Sequence, residues 1–394
     1  MSPRRWADLP QELLYLIAEK LQTHIDDILR LRSVCASWRS SIPPIRRSPL
    51  SAVKLPSRVP GFSHTRFCLS HPRASDSNSE NRDLILYESI IYRLDPPASN
   101  SNSENSGSWL FRIKETTPGR VRLQKPLSNG PLRPLPRGFP KDFNLLDFRV
   151  SELCKVYNVL LSLRSPSSMD LDVSRVVLSS RPKSSNDDYV LLAIYSRGFL
   201  CSLRLGDDEW TVCEDSGNKI FHDIINFNGK FYAVDTSNRI LVFDEHSLQL
   251  IEVFEPTIPA LNGYYDLRLV KLSGDLLLVY RKLPTIGSTD FRCFKLNQEL
   301  RALEEVYSFG DQVLFLGDQF SFSISTLEFT GLEPDCLYFA DPSPFKIVSD
   351  GAMQNLGNIR VFKLGYGPVR FYPENSKIFW PPPAWLQPEP SASS

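Results

Sequence analysis

The chain has no excess charge of either sign: 45 Lys and Arg offset 45 Asp and Glu over 394 residues. Such a balance supplies no global field to steer the protein onto nucleic acid or a charged membrane surface. No C-x-x-C pair occurs among the seven cysteines (35, 68, 154, 201, 213, 293 and 336), and their odd, scattered arrangement argues against a disulfide framework and a structural zinc site. No G-x-S-x-G elbow, G-x-x-x-x-G-K-[ST] phosphate loop or H-E-x-x-H helix is present, and Gly365 and Gly367 do not begin a dinucleotide fingerprint. The reading is therefore no catalytic residue, no metal and no cofactor. No apolar segment follows Met1, no apolar run can span a bilayer, and no N-x-[ST] acceptor occurs. The expected address is the nucleus, the cytoplasm or both, with neither membrane nor nucleic acid as a partner.

Hydrophobic content of 42% and charged content of 23% are those of a globular protein with a packed core. Thirty-one prolines, 24 Phe and 14 Tyr beside only 19 Gly favour many short strands and turns over long helices. Charge is uneven locally. Every charged side chain from Arg30 to Arg73 is basic, whereas Asp207, Asp208, Glu209, Glu214 and Asp215 cluster later. The basic run lacks the interleaved aromatics of a nucleic-acid platform and reads as a solvated linker.

The segment from Trp6 to Ser40 is the most informative. Asp8 can cap a helix, Pro10 fits its first turn and Gln11 stands where a capping box wants it. Leu13, Leu14, Ile17 and Leu21 then recur at helical spacing, and Ile28, Leu31, Val34, Cys35 and Trp38 repeat the pattern after Asp26. Some forty residues bury too little surface to stand alone, so part of these apolar stripes is expected to meet another chain or domain. Leu9-Pro10, Glu12-Leu13-Leu14, Val34-Cys35 and Trp38-Arg39 at these spacings resemble the F-box. That resemblance implies docking to a Skp-family adaptor and, through it, to the cullin and RING subunits of an SCF ubiquitin ligase. It makes Leu9, Pro10, Leu13, Leu14, Ile17, Leu21, Ile28, Leu31, Val34, Cys35 and Trp38 the adaptor-binding set. Trp38 also suits the module's own core.

Beyond the proline-rich stretch after Ile42 the period changes to that of strands. Phe221 to Phe254 holds four short strands in about 35 residues, punctuated by Asn228-Gly229, a strong two-residue hairpin signal. Four strands per unit is a propeller blade, and at about 45 residues each the chain from about Ala52 to Phe379 has room for six or seven. A pair of sheets packed as a sandwich would use the same strands, although sandwiches seldom exceed about 250 residues as one domain. The runs FNGKFYAVDTSNRILVFD, LVKLSGDLLLVYRK, GDQVLFLGDQFSFSIS and GLEPDCLYFAD and the tail WPPPAWLQP resemble the kelch-like domain of plant SKIP/KIB-type F-box proteins, without the kelch double-glycine signature.

The expected organisation is a small all-α F-box of about three helices (1–45), a linker (46–60), an all-β six- or seven-bladed propeller that recognises a target protein (61–379) and a Pro/Ser-rich tail (380–394). Two SNSEN pentapeptides, Ser77 to Asn81 and Ser101 to Asn105, read as polar loops. Three further features stay open. His222 is either a structural histidine or a base beside a carboxylate. The turns at Asp207, Asp275 and Asp311 are either hairpin chemistry or calcium ligands. Trp380 to Trp385 is either a proline-rich ligand or a closing contact on the ring.

Overall fold

The computed structural model describes residues 9–20, 25–42, 53–56, 84–96, 107–117, 120–129, 132, 139, 148–161, 173–180, 189–195, 198–213, 219–255, 265–282, 290–329, 331–340, 346–347, 353–354, 359–366, 378–380 and 382–386. The strand-like sequence run Arg66 to Ser70, both SNSEN segments, Asp8 and Leu21 lie outside the described residues. Three short helices come first: α1 (Gln11–Lys20), α2 (Ile25–Ser33) and α3 (Ala36–Ser41). α1 begins at Gln11, so Pro10 precedes the helix and does not lie inside its first turn as the cap at Asp8 would have it; the Pro10 carbonyl accepts from the amides of Leu13 at 3.1 Å and Leu14 at 3.2 Å.

The strands form five four- or five-stranded sheets and one two-stranded hairpin among the described residues. Blade 1 comprises β1 (Val53–Leu55), β2 (Leu84–Asp95), β3 (Trp109–Thr117), β4 (Arg120–Gln124) and β5 (Arg149–Leu161). β2 pairs along its length with β5, and on its other edge with β1 and then β3. β1 falls inside the stretch read as a linker. Blade 2 is β6 (Val173–Leu178), β7 (Val190–Tyr195), β8 (Phe199–Arg204) and β9 (Thr211–Val212). Blade 3 is β10 (Phe221–Phe227), β11 (Lys230–Asp235), β12 (Ile240–Asp244) and β13 (Leu250–Phe254). Blade 4 is β14 (Tyr265–Leu272), β15 (Asp275–Lys282), β16 (Asp290–Asn297) and β17 (Ala302–Val306). These three are antiparallel meanders. The β10–β11 connection is the expected Asn228-Gly229 hairpin, with φ of 50° and 72°.

Blade 5 departs from that pattern. The chain enters at β18 (Gln312–Leu316), turns back into β19 (Ser321–Ser325), and crosses to β20 (Cys336–Ala340), which runs parallel to β18. A small hairpin, β21 (Lys346–Ile347) with β22 (Met353–Gln354), precedes β23 (Ile359–Lys363), which completes the sheet.

Strand alternation explains how these sheets assemble. In β7, Val190, Leu192 and Ile194 pack against blade 3, while Leu191 and Ala193 pack against blade 1. In β15, Leu276, Leu278 and Tyr280 face blade 3, and Leu277 and Val279 face blade 5. In β18, Leu314 and Leu316 face blade 4, and Val313 and Phe315 face blade 1. Each central strand is thus apolar on both sides because a neighbouring sheet covers each side. Five clusters link blades 1–2, 2–3, 3–4, 4–5 and 5–1, so the arrangement is a closed ring and not a sandwich. β5, β6, β10, β14 and β19 follow one another in space as the strands nearest the axis.

The ring has five blades, which corrects the expectation of six or seven. Dividing length by about 45 residues misjudged the connections. Blade 1 extends from Val53 to Leu161, and blade 5 carries a crossover and an extra hairpin.

The 5–1 seam is closed by chain ends and loops. Ile378 and Phe379 enter the cluster between these blades, and the Trp109 indole N–H donates to the Phe379 carbonyl at 3.1 Å. Arg93 donates to the Glu328 carbonyl at 2.6 Å, and the Asp318 amide to the Leu127 carbonyl at 2.9 Å. The tail reads as a closing contact: Leu386 is buried beside Trp109 and Phe111, and Trp385 packs near Phe148 and donates to the Gly107 carbonyl at 3.3 Å.

Candidate functional site

The helical module builds a small core and leaves a second apolar face uncovered. Leu14, Ala18, Ile28, Trp38 and Ile42 are buried together, with Leu9, Leu31 and Cys35 half-buried around them. α1 therefore has two stripes where the sequence suggested one. Leu14 and Ala18 point inward, whereas Leu13, Tyr15, Leu16 and Ile17 remain 48%, 52%, 53% and 37% exposed, with Pro10 and Val34 also outside. Tyr15 and Leu16 were not foreseen as surface anchors. Their signal was present, since five consecutive apolar residues from Leu13 to Ile17 surround the helix and demand cover on more than one side.

Two motif pairs have local jobs. Cys35 is the N-cap of α3, its Sγ accepting from the Trp38 amide at 3.5 Å. Arg39 donates from Nε to the Arg32 carbonyl at 3.1 Å, and Arg32 returns the bond to the Arg39 carbonyl at 3.0 Å and also reaches the Ile42 carbonyl. These crossed bonds fix α3 against α2. They also employ two residues of the basic run internally, and a third, Arg30, lies 3.4 Å from Asp27.

A second feature opens at the end of the ring where β10 and β14 begin. A cavity of about 330 Å³ is lined by His222, Tyr265, Asp266, Arg268, Arg281, Leu316, Gly317, Asp318 and Ala340. The β18–β19 turn, Gly317 to Phe320, forms part of its wall and is tied to three other blades. The Gln319 amide group donates to the Val173 carbonyl at 3.3 Å and accepts from Asn129 at 3.0 Å, while Arg268 donates to the Asp318 carbonyl at 3.1 Å. Beneath it Arg175 and Asp223 form a buried pair at 2.7 Å, with Asp223 also accepting from the Leu269 amide. Burial pushes the Asp223 carboxyl up against the pull of Arg175 and holds the Arg175 guanidinium down at about 10.

The remaining sequence candidates fall into place individually. His222 lies in the cavity wall, its imidazole pushed below the ordinary value by burial. Asp207 accepts from the Arg204 amide, Asp275 pairs with Lys295 at 2.7 Å, and Asp311 accepts from the Ser325 hydroxyl, all within hairpins. No group of three or more His, Cys, Asp or Glu side chains is placed to hold a metal among the described residues. No helix among them is long and apolar enough to cross a membrane.

Comparison with known proteins covers both parts of the chain. Residues 84–363, from β2 to β23, match the family described as KIB1-4 beta-propeller. The Arabidopsis thaliana F-box protein SKIP23 is 28% identical over 97% of this chain and 95% of its own length. F-box protein At2g17036 of the same organism is 31% identical over 97% and 94%, and F-box protein At4g35733 is 26% identical over 92% and 93%. With its blades matched from β2 to the last strand and its relatives aligned along nearly the whole chain, the protein belongs to the KIB1-4 beta-propeller family.

Proposed function

We propose that the chain is the target-recognition subunit of an SCF-type ubiquitin ligase. The helical module docks a Skp-family adaptor, which brings the cullin and RING subunits, and the ring presents a target protein. The observation that carries this reading is the uncovered stripe of Leu13, Leu16 and Ile17 beside a core already completed by Leu14, Ile28 and Trp38. Apolar surface left over after a core is filled is surface for a partner. The F-box names of the relatives support the same assignment.

In this reading Leu9, Pro10, Leu13, Ile17, Leu21, Leu31 and Val34 meet the adaptor, while Leu14, Ile28, Cys35 and Trp38 hold the helices in register. The chain supplies no reacting group. Its contribution is tethering, which raises the effective concentration of target lysines near a loaded conjugating enzyme. The work takes place in the nucleus or cytoplasm.

Co-purification with a Skp adaptor tests the reading, comparing the native chain with Leu13→Ser/Ile17→Ser. Truncating a central anchor costs about 2 kcal/mol or more of binding, so the pair should lower affinity about a thousandfold with helical content unchanged. Equal recovery of adaptor with both proteins would refute it.

A further inference from the structure

We propose that the cavity at the end of the ring receives a basic side chain, an arginine or lysine, of the target protein. This rests on the reading that the ring recruits a target and adds the chemistry by which it does so. The lining holds two guanidinium and two carboxylate groups, but they are not equally reachable. Arg281 is 7% exposed, lies over the Phe339 ring at 4.8 Å and donates to the Ala340 carbonyl at 3.2 Å. Arg268 is occupied by the Asp266 carboxylate at 2.8 Å and the Asp318 carbonyl at 3.1 Å. Both cations therefore already have acceptors in the wall.

Asp318 differs from them. Its residue is exposed to the cavity, and its main chain is fixed on both sides by the Leu127 carbonyl and Arg268. No cationic side chain comes within ion-pairing distance of its carboxylate among the described residues. Desolvation in this concave wall pushes the carboxyl above its ordinary value against the attraction of Arg268, a backbone hydrogen bond from Asn129 and the guanidiniums of Arg112 and Arg281. A carboxylate held in place and raised by desolvation gains most from a cation brought to it.

Asp266, whose burial raises its carboxyl but is outweighed by Arg268 together with Arg175 and Arg281, stays below the ordinary carboxylate value and offers a second acceptor edge. Tyr265, Leu316 and Ala340 give the aliphatic stem of a long side chain an apolar surface to lie along. At about 330 Å³ the space is at the small end of ligand pockets, which suits one side chain and not a folded segment.

The test is selection of a displayed library of seven-residue peptides on the purified full-length chain, beside Asp318→Asn. The asparagine keeps the size and the main-chain bonds of the turn while removing the charge. The expected result is an Arg or Lys fixed at one position, and at least a tenfold weaker affinity of the selected peptide for Asp318→Asn, as a lost charge-assisted bond requires. Its melting temperature and its recovery of Skp adaptor should match the native chain. Enrichment of Asp or Glu, no positional preference, or equal affinity for Asp318→Asn would overturn the proposal. Because adaptor recovery is read separately, its failure in the native chain would refute the ligase reading alone.

Discussion

Closure of the ring depends on a few side chains that the chain brings together from its two ends, and Phe379 is the one to perturb. It is 4% exposed and sits edge-on to Phe315, with centroids 6.2 Å apart, and to Tyr338 at 6.0 Å. Its carbonyl is the acceptor for the buried Trp109 indole. Phe379→Ala removes a fully packed ring from a seam that cannot collapse without separating blades 5 and 1, so the expected cost is about 3–5 kcal/mol. That is a large part of a typical domain's stability. With a urea dependence of about 3 kcal/mol per molar, the unfolding midpoint should fall by more than about 1 M. Tryptophan fluorescence is the natural readout, because Trp109 lies at the seam. Phe243→Ala, at the interface of blades 2 and 3, is the control: in a closed ring every interface matters, and both variants should lose comparable stability. A loss below about 1 kcal/mol for Phe379→Ala beside a large loss for Phe243→Ala would mean an open arc, and the closure argument would fail.

Within the helical module, Leu14→Ala should cost about 2–5 kcal/mol and melt the helices by circular dichroism, whereas Leu16→Ala, on the uncovered face, should stay within about 0.5 kcal/mol. Asp223→Asn leaves the Arg175 cation buried without its counter-charge and should destabilise the ring by about 3–5 kcal/mol in urea titration; a neutral outcome would show that water reaches the pair. Asn228→Val places a branched side chain at a φ of 50° and should cost about 1–2 kcal/mol, read as a lower midpoint without a changed slope. Glu245 links blades 2 and 3. Burial pushes its carboxyl up, but bonds from the Ser180 amide at 2.7 Å and the Asn226 side chain at 2.6 Å hold it below the ordinary value. Its contribution is therefore present above the unfolded value of about 4.3 and is lost as pH falls through the lower folded value. The stability gap between native and Glu245→Gln should narrow below about pH 4, and a constant gap from neutral to acid pH would contradict the assignment.

What the sequence disclosed follows the range of the forces involved. The hairpin at Asn228-Gly229, a helix start near Pro10 and the four short strands between Phe221 and Phe254 depend on neighbours a few residues apart, and all were legible. The division of α1 into Leu14 and Ala18 inward and Leu13, Leu16 and Ile17 outward was not, because periodicity identifies a stripe but cannot say which of two adjacent stripes the module's own helices will occupy. Cys35 shows the same limit. Its place in a motif suggested a partner contact, while its geometry adds an N-cap. Asp318 carried no mark at all, since it stands in the β18–β19 turn of blade 5 and meets Asp266 and Arg281, cross-strand neighbours in blade 4, only when the two blades pack.

The number of blades belongs to the same class of unreadable quantity. Alternation in β7, β15 and β18 states that each sheet is covered on both faces, which fixes a chain of sheets with two neighbours each. It does not state how many such sheets return to the first. That count is set by whether Val313 and Phe315 of the last sheet find Ile91, Leu110 and Val156 of the first after five steps, and by whether Phe379 can fill what remains. Blade 1 runs from Val53 to Leu161, and blade 5 carries a crossover and the β21–β22 hairpin, so a longer chain did not mean a larger ring. The same closure places the turn of GDQVLFLGDQF across the axis, against Leu127, Asn129, Val173 and Arg268. A segment that reads as one more hairpin thus becomes, by long-range packing alone, the wall of the cavity.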